Sequence, residues 1–205
     1  MKSRLAFFAV LALAQLLVTP SFAQEGRDAA FLAAREAFRV GDAARLDRAA
    51  ASLGSNHDLA PYVEYFQQRM RLEQADAAAV NAFAERYPGS YVAERLRSDW
   101  LRLQAKKQQW PEVETAFEAL RNPEQEVTCL VLQARLARKD AKTLEEAQPL
   151  WLDLLEPPEG CVPVIEALIW EKKVLADDVW ARVRRQFEAN RTAWAKSTLH
   201  YLPES

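Results

Sequence analysis

Cys129 and Cys161 are the only two cysteines in the chain. A cysteine pair can cycle redox equivalents, close a disulfide, or sit apart as two small buried thiols. Redox cycling calls for a close Cys-x-x-Cys pairing, which this sequence lacks. In an oxidising compartment a disulfide is the first reading, and two separate buried thiols stay open beside it. Closing a loop of this size would contribute roughly 3–4 kcal/mol in the chain-entropy treatment. The histidines offer less. His57 and His200 stand 143 positions apart, and neither has a partner at metal-ligand spacing. His57 lies in a polar Ser-Asn-His-Asp stretch and reads as a solvated loop residue. Six tryptophans could stack against sugar rings, but Trp100, Trp110, Trp151 and Trp180 fall on or beside apolar helical stripes, where core packing is the default. Glu112, Glu114 and Glu118 read as a solvated helix face. A catalytic acid needs burial in a cleft to raise its pKa, and the pattern nominates none. Glycine-rich nucleotide loops and nucleophile elbows are also missing from the sequence. No catalytic, metal-binding or cofactor-binding residue, and no cofactor, is therefore assigned from the sequence.

The compartment follows from the first 23 residues. Lys2 and Arg4 precede the apolar run LAFFAVLALAQLLV, and Ser21-Phe22-Ala23 is a small-x-small cleavage site. A run of about 14 residues falls short of the roughly 20 that span a bilayer. Residues 1–23 are thus expected to be a signal peptide, leaving a soluble, exported, periplasmic chain from Gln24 with no membrane contact. Cleavage removes two positive charges and leaves 25 basic and 29 acidic side chains. That balance argues against nucleic acid as a partner.

About 180 mature residues suffice for one domain, 24–205. Ala, Leu, Glu, Arg and Gln dominate, so the composition reads all-α. Helical periodicity predicts helices over 28–40, 42–53, from Pro61, 76–87, from Val92 to Leu103, from Trp110, 124–138, 142–155, from Pro163, around Val179–Phe187, and from Thr192. Leu59, Tyr62, Phe66 and Met70 are expected to share the buried face of the third. The helix over 124–138 is apolar on more than one side and should lie between neighbours. Pro149 should kink or interrupt 142–155. WPEVETAF at 110–117 and WARVRRQF at 180–187 share W-x-x-V-x-x-x-F at an offset of 70, as two hairpin units of about 35 residues would give. The expected architecture is a superhelical array of about ten short helices packed as antiparallel hairpins.

Several phrases resemble a known family in order. They are REAFRVGDAARLDRAA (35–50), LAPYVEYFQQRMRL (59–72), AFAERYPGSYVAERLRSDWLRLQAKKQQW (82–110), and CLVLQARLARKD (129–140) followed by LWLDLLEPPEGC (150–161). Together they are similar to the N-terminal superhelical part of the soluble periplasmic lytic transglycosylases. The resemblance spans essentially the whole mature chain and implies a role on peptidoglycan. Those enzymes cleave glycan strands between N-acetylmuramic acid and N-acetylglucosamine and leave a 1,6-anhydro end. A single glutamate serves as acid and then base, without metal or nucleotide. It lies in a lysozyme-like domain after the superhelix, in a Glu-Ser pair followed downstream by Gly-Leu-Met-Gln.

The chain departs from that pattern. Gly-Leu-Met-Gln is missing. Glu204-Ser205 resembles the catalytic dipeptide, but a chain-end glutamate lacks the enclosure such an acid needs. The reading is a family N-terminal region ending early, through a truncated or split gene or as a short paralogue. It would be inactive alone and act as a scaffold or glycan-positioning module. Peptidoglycan, an envelope protein or a separate catalytic domain would be its partners. The alternative is a free-standing periplasmic helical-repeat module that captures proteins.

Overall fold

The structure, a computed structural model, describes residues 20–202. The expected leader lies outside them apart from its last four residues, and Glu204-Ser205 lies outside them altogether. Every regular element among the described residues is helical, as the composition requires. The chain divides at Leu96–Arg97 into two compact units.

In the first unit, α1 (Pro20–Val40), α2 (Ala43–Leu53), α3 (Ala60–Met70) and α4 (Ala77–Arg86) follow one another, and α5 begins at Tyr91. The first helix starts eight residues earlier than its periodicity indicates. It ends where Gly41 takes φ 77°, a left-handed turn that costs glycine nothing. Asp42 then caps α2 by accepting the Arg45 N–H at 2.9 Å, and Asp76 caps α4 by accepting the Ala79 N–H at 2.8 Å. Alanines do the close packing here. Ala30, Ala34 and Ala37 recur at helical spacing on α1 and meet Leu46, Leu53 and Val63. Phe38 stacks on Phe66 with ring centres 4.7 Å apart. Burial of a side chain such as Leu46 contributes about 1.5–3 kcal/mol. The buried face of α3 centres on Val63, while Tyr62 is exposed. Phe66 and Met70 pack against the same cluster, as expected of their face, so of the expected stripe it is Tyr62 that turns away.

His57 is a second correction. Its side chain is only 8% exposed. Nδ1 accepts the Leu59 N–H at 3.1 Å and Nε2 faces Asp28 at 3.2 Å, which assigns the proton to Nε2. The ring fastens the entry of α3 to α1 rather than standing in solvent.

The second unit contains the rest of α5 (Tyr91–Lys106), then α6 (Trp110–Glu118), α7 (Gln125–Ala137), α8 (Thr143–Ala147), α9 (Leu150–Asp153), α10 (Val162–Trp170), α11 (Ala176–Glu188) and α12 (Thr192–Thr198). Pro149 interrupts the predicted helix over 142–155, giving the short α8 and α9 in its place. Helix α7 is buried on two sides. Val127, Val131 and Ala134 join Leu101 and Val113 in one cluster, while Cys129 and Leu132 join Trp151, Val164, Ile165 and Leu168 in another.

Helix ends recur. After α5, α7, α10 and α11 the chain reverses at Gln108, Lys139, Lys172 and Asn190, each with φ between 56° and 61°. At each reversal two backbone bonds close the turn; at Lys139 they are Lys139 N–H to Leu136 O (2.9 Å) and Asp140 N–H to Arg135 O (3.0 Å). The first three reversals fall at 108, 139 and 172, so 31 and then 33 residues apart. These intervals enclose α6 and α7, then α8, α9 and α10, and the fourth reversal at 190 follows after α11 alone, so the spacing is not a constant helix-pair repeat. The 70-residue tryptophan echo does not share their register: Trp110 opens α6, whereas Trp180 lies a full turn inside α11.

Candidate functional site

The cysteines set the geometry of the second unit. Their sulfurs lie 2.00 Å apart, at disulfide distance, one on α7 and the other ending a tight turn over Glu159–Cys161 that leads into α10. Both are fully buried. Gln133 Nε2 donates to Gly160 O at 2.7 Å. A Cβ on Gly160 would stand 3.0 Å from Glu126 Cγ and 3.1 Å from Leu130 Cδ2, so glycine allows this turn to lie directly on α7. The start of α10 is thereby fixed against α7.

Tyr201 is held from the other side. Its ring meets the Trp151 indole edge-on at 6.0 Å. Trp151 in turn donates from Nε1 to Asp178 O at 2.9 Å and carries the Arg182 guanidinium 4.5 Å above its ring. Arg182 is 3% exposed and donates to Trp151 O and Leu154 O, and Gln186 donates to Leu155 O at 2.8 Å. These two α11 side chains satisfy carbonyls that α9 leaves open at its end. Burial pushes the guanidinium of Arg182 down to about 10.

These anchors frame a groove of about 730 Å³, within the roughly 300–1,000 Å³ usual for ligand sites. Its floor is aliphatic: Leu136 from α7, Leu144 from α8, and Pro163, Ala167 and Ile169 from α10. The α10 wall follows from helical spacing. Val164, Ile165 and Leu168 turn into the core, while Pro163, Glu166, Ala167 and Trp170 recur at i, i+3, i+4 and i+7 on the other side. Trp170 stands at the rim, 85% exposed, with Tyr201 also lining the groove. Lys139, Asp140, Glu166 and Glu171 supply its charge. Asp140 is engaged by Arg138 at 3.0 Å and by the Lys142 N–H at 3.1 Å.

The tryptophans thus divide. Trp100 and Trp151 are core residues, as expected, and Trp110 is half-buried. Trp180 is 46% exposed, contrary to its expected place in the core, because Val179, Arg182, Val183 and Gln186 take the buried face of α11. Trp170 carried no assigned role in the sequence. The available signal was its position off the Val164–Ile165–Leu168 stripe. Glu112 and Glu118 are exposed and Glu114 pairs with Arg138 at 3.1 Å.

A second hollow, of about 460 Å³ in the first unit, is polar and internally satisfied. Gln67 and Arg71 each donate to Asp47 at 2.6 Å, Tyr87 donates to Glu64 at 2.6 Å, and Arg86 pairs with Glu64. Burial first, then the bond to Glu64, raises Tyr87 above the ordinary phenol range. Such a network ties α2, α3 and α4 together. No group of three or more potential metal ligands occurs among the described residues, and none of their helices is long and apolar enough to cross a membrane. Comparisons with protein-family models, curated proteins and solved structures returned no match for this chain.

Proposed function

We propose that this chain is a binding module of the periplasm that holds a macromolecular partner and leaves bond-breaking to others. It is akin to the superhelical part of soluble lytic transglycosylases. The observation that carries the reading is the groove between α7, α8 and α10, where an exposed indole rims an aliphatic floor. An exposed tryptophan beside an apolar hollow is the usual make-up of a recognition hot spot. Export is supported by the N-terminal pattern and by two cysteines at disulfide distance.

The aliphatic floor favours a protein segment as occupant, in line with a free-standing interaction module. A glycan-positioning role is the second reading. It draws on the family resemblance, including the Leu-Trp phrase before the second cysteine, and on the Trp170 and Tyr201 rings, which suit sugar faces. Incubation of the purified mature protein with peptidoglycan sacculi separates these readings from catalysis. A holding module releases no anhydromuropeptides, and their appearance overturns it. Co-sedimentation with sacculi that Trp170→Ala abolishes selects the glycan role over the protein role.

A further inference from the structure

We infer that the α7–α8–α10 groove takes the apolar face of a cationic amphipathic protein segment. The inference rests on the binding-module reading above and names the partner's chemistry. Its first support is the floor. Leu136, Leu144, Pro163, Ala167 and Ile169 offer methyl and methylene surface to a row of apolar side chains. Helical ligands present such rows at i, i+3, i+4 and i+7. The second support is charge. Asp140 is already engaged by Arg138, which leaves Glu166 and Glu171 against Lys139 among the lining residues, a surplus of one negative charge. Glu166 and Glu171 form no ion pair or side-chain hydrogen bond among the described residues. Glu166 lies one turn before Trp170 on α10 and Glu171 just past the helix end, and all three line the groove, so a lysine or arginine placed over the indole enters a hollow that holds both carboxylates. A cation on an aromatic face gains most when carboxylates share its desolvation. An acidic segment would instead face two unneutralised carboxylates, and that repulsion selects against it.

The test uses the full mature chain and fluorescence anisotropy of a labelled, short helix-forming peptide of leucine and lysine, apolar on one face. Two matched peptides replace its lysines by glutamine or by glutamate, and an N-acetylglucosamine oligosaccharide serves as competitor. The cationic peptide should bind, with affinity falling as salt rises. Trp170→Ala should weaken it about tenfold or more. Glu166→Gln/Glu171→Gln should weaken it about tenfold, whereas the charge-matched surface change Glu112→Gln/Glu118→Gln should cost no more than about twofold. The changed side chains are exposed, so the variants keep the wild-type far-ultraviolet dichroism. Equal weakening by the surface control overturns the inference by showing diffuse attraction. Equal binding of the glutamine peptide that still depends on Trp170 overturns the cationic assignment and leaves the binding-module reading standing. Displacement by the oligosaccharide, with Trp170-dependent sugar binding, replaces a protein segment by a glycan. Failure of every probe to bind in a Trp170-dependent way overturns both.

Discussion

Replacing Cys129 and Cys161 together by alanine should destabilise the second unit by about 4 kcal/mol. The magnitude follows from the chain. The two positions are 32 residues apart, and cross-linking a loop of that size removes about 12 cal/mol/K of entropy from the unfolded ensemble, or about 4 kcal/mol at 25 °C. Spread over Arg97–Ser205, that predicts a fall in Tm of about 10–20 °C. The assay is thermal unfolding followed by circular dichroism, on the oxidised protein, the same protein reduced in denaturant and refolded with reductant, and the alanine pair. Alkylation with and without reductant, read by mass, first counts the thiols in material taken from the periplasm. The reasoning predicts no free thiols, and equal losses for the reduced protein and the variant apart from the small effect of the deleted sulfurs. Two free thiols in periplasmic material, or a Tm shift of less than about 3 °C, would refute it. The same change also frees the start of α10, so peptide or glycan binding to the groove should weaken in parallel with the loss of the cross-link.

Arg182→Met keeps much of the contact with Trp151 but leaves Trp151 O and Leu154 O without their donor; a loss of about 2–4 kcal/mol is expected from urea unfolding. Phe83 is completely buried, and Phe83→Ala should cost about 3–5 kcal/mol in the same measurement. The Gln67 amide, then Arg71, holds Asp47 below the usual carboxylate range. Its contribution is therefore present above the unfolded carboxylate value and lost as pH falls through the folded one, and Asp47→Asn should flatten the acid limb of a stability–pH curve.

Much of the helical framework was legible because breakers mark it. Pro61, Pro111 and Pro163 fall in first turns, Gly41 and Gly54 stand just past helix ends, and Pro149 interrupts where its missing N–H requires. Double-sided burial of α7 could be read from apolar residues on more than one face. The helix ends at Gln108, Lys139 and Lys172 were harder, since long side chains in left-handed backbone carry no composition signal, whereas Asn190 is a residue type that helix ends of this kind do favour. The groove was not legible either. Its floor combines residues from three helices, and which apolar side chains stay uncovered depends on how the pairs pack. Arg182 was hidden for a related reason: a charged residue on an amphipathic helix reads as solvated until two open carbonyls of another helix are placed beside it.

Those four left-handed helix ends also bear on how the protein could be engineered. A side-chain-bearing residue in that backbone region costs about 1–2 kcal/mol relative to glycine. Gln108 and Lys172 are both exposed, so glycine at these two sites forms a pair of thermostabilising replacements, while Asn190 already tolerates the conformation and gains little. Lys139 belongs to the same geometric class yet lines the groove. There the replacement also removes the groove's cation, so it changes recognition together with heat resistance, and a variant library scored on melting temperature alone would not register that second effect.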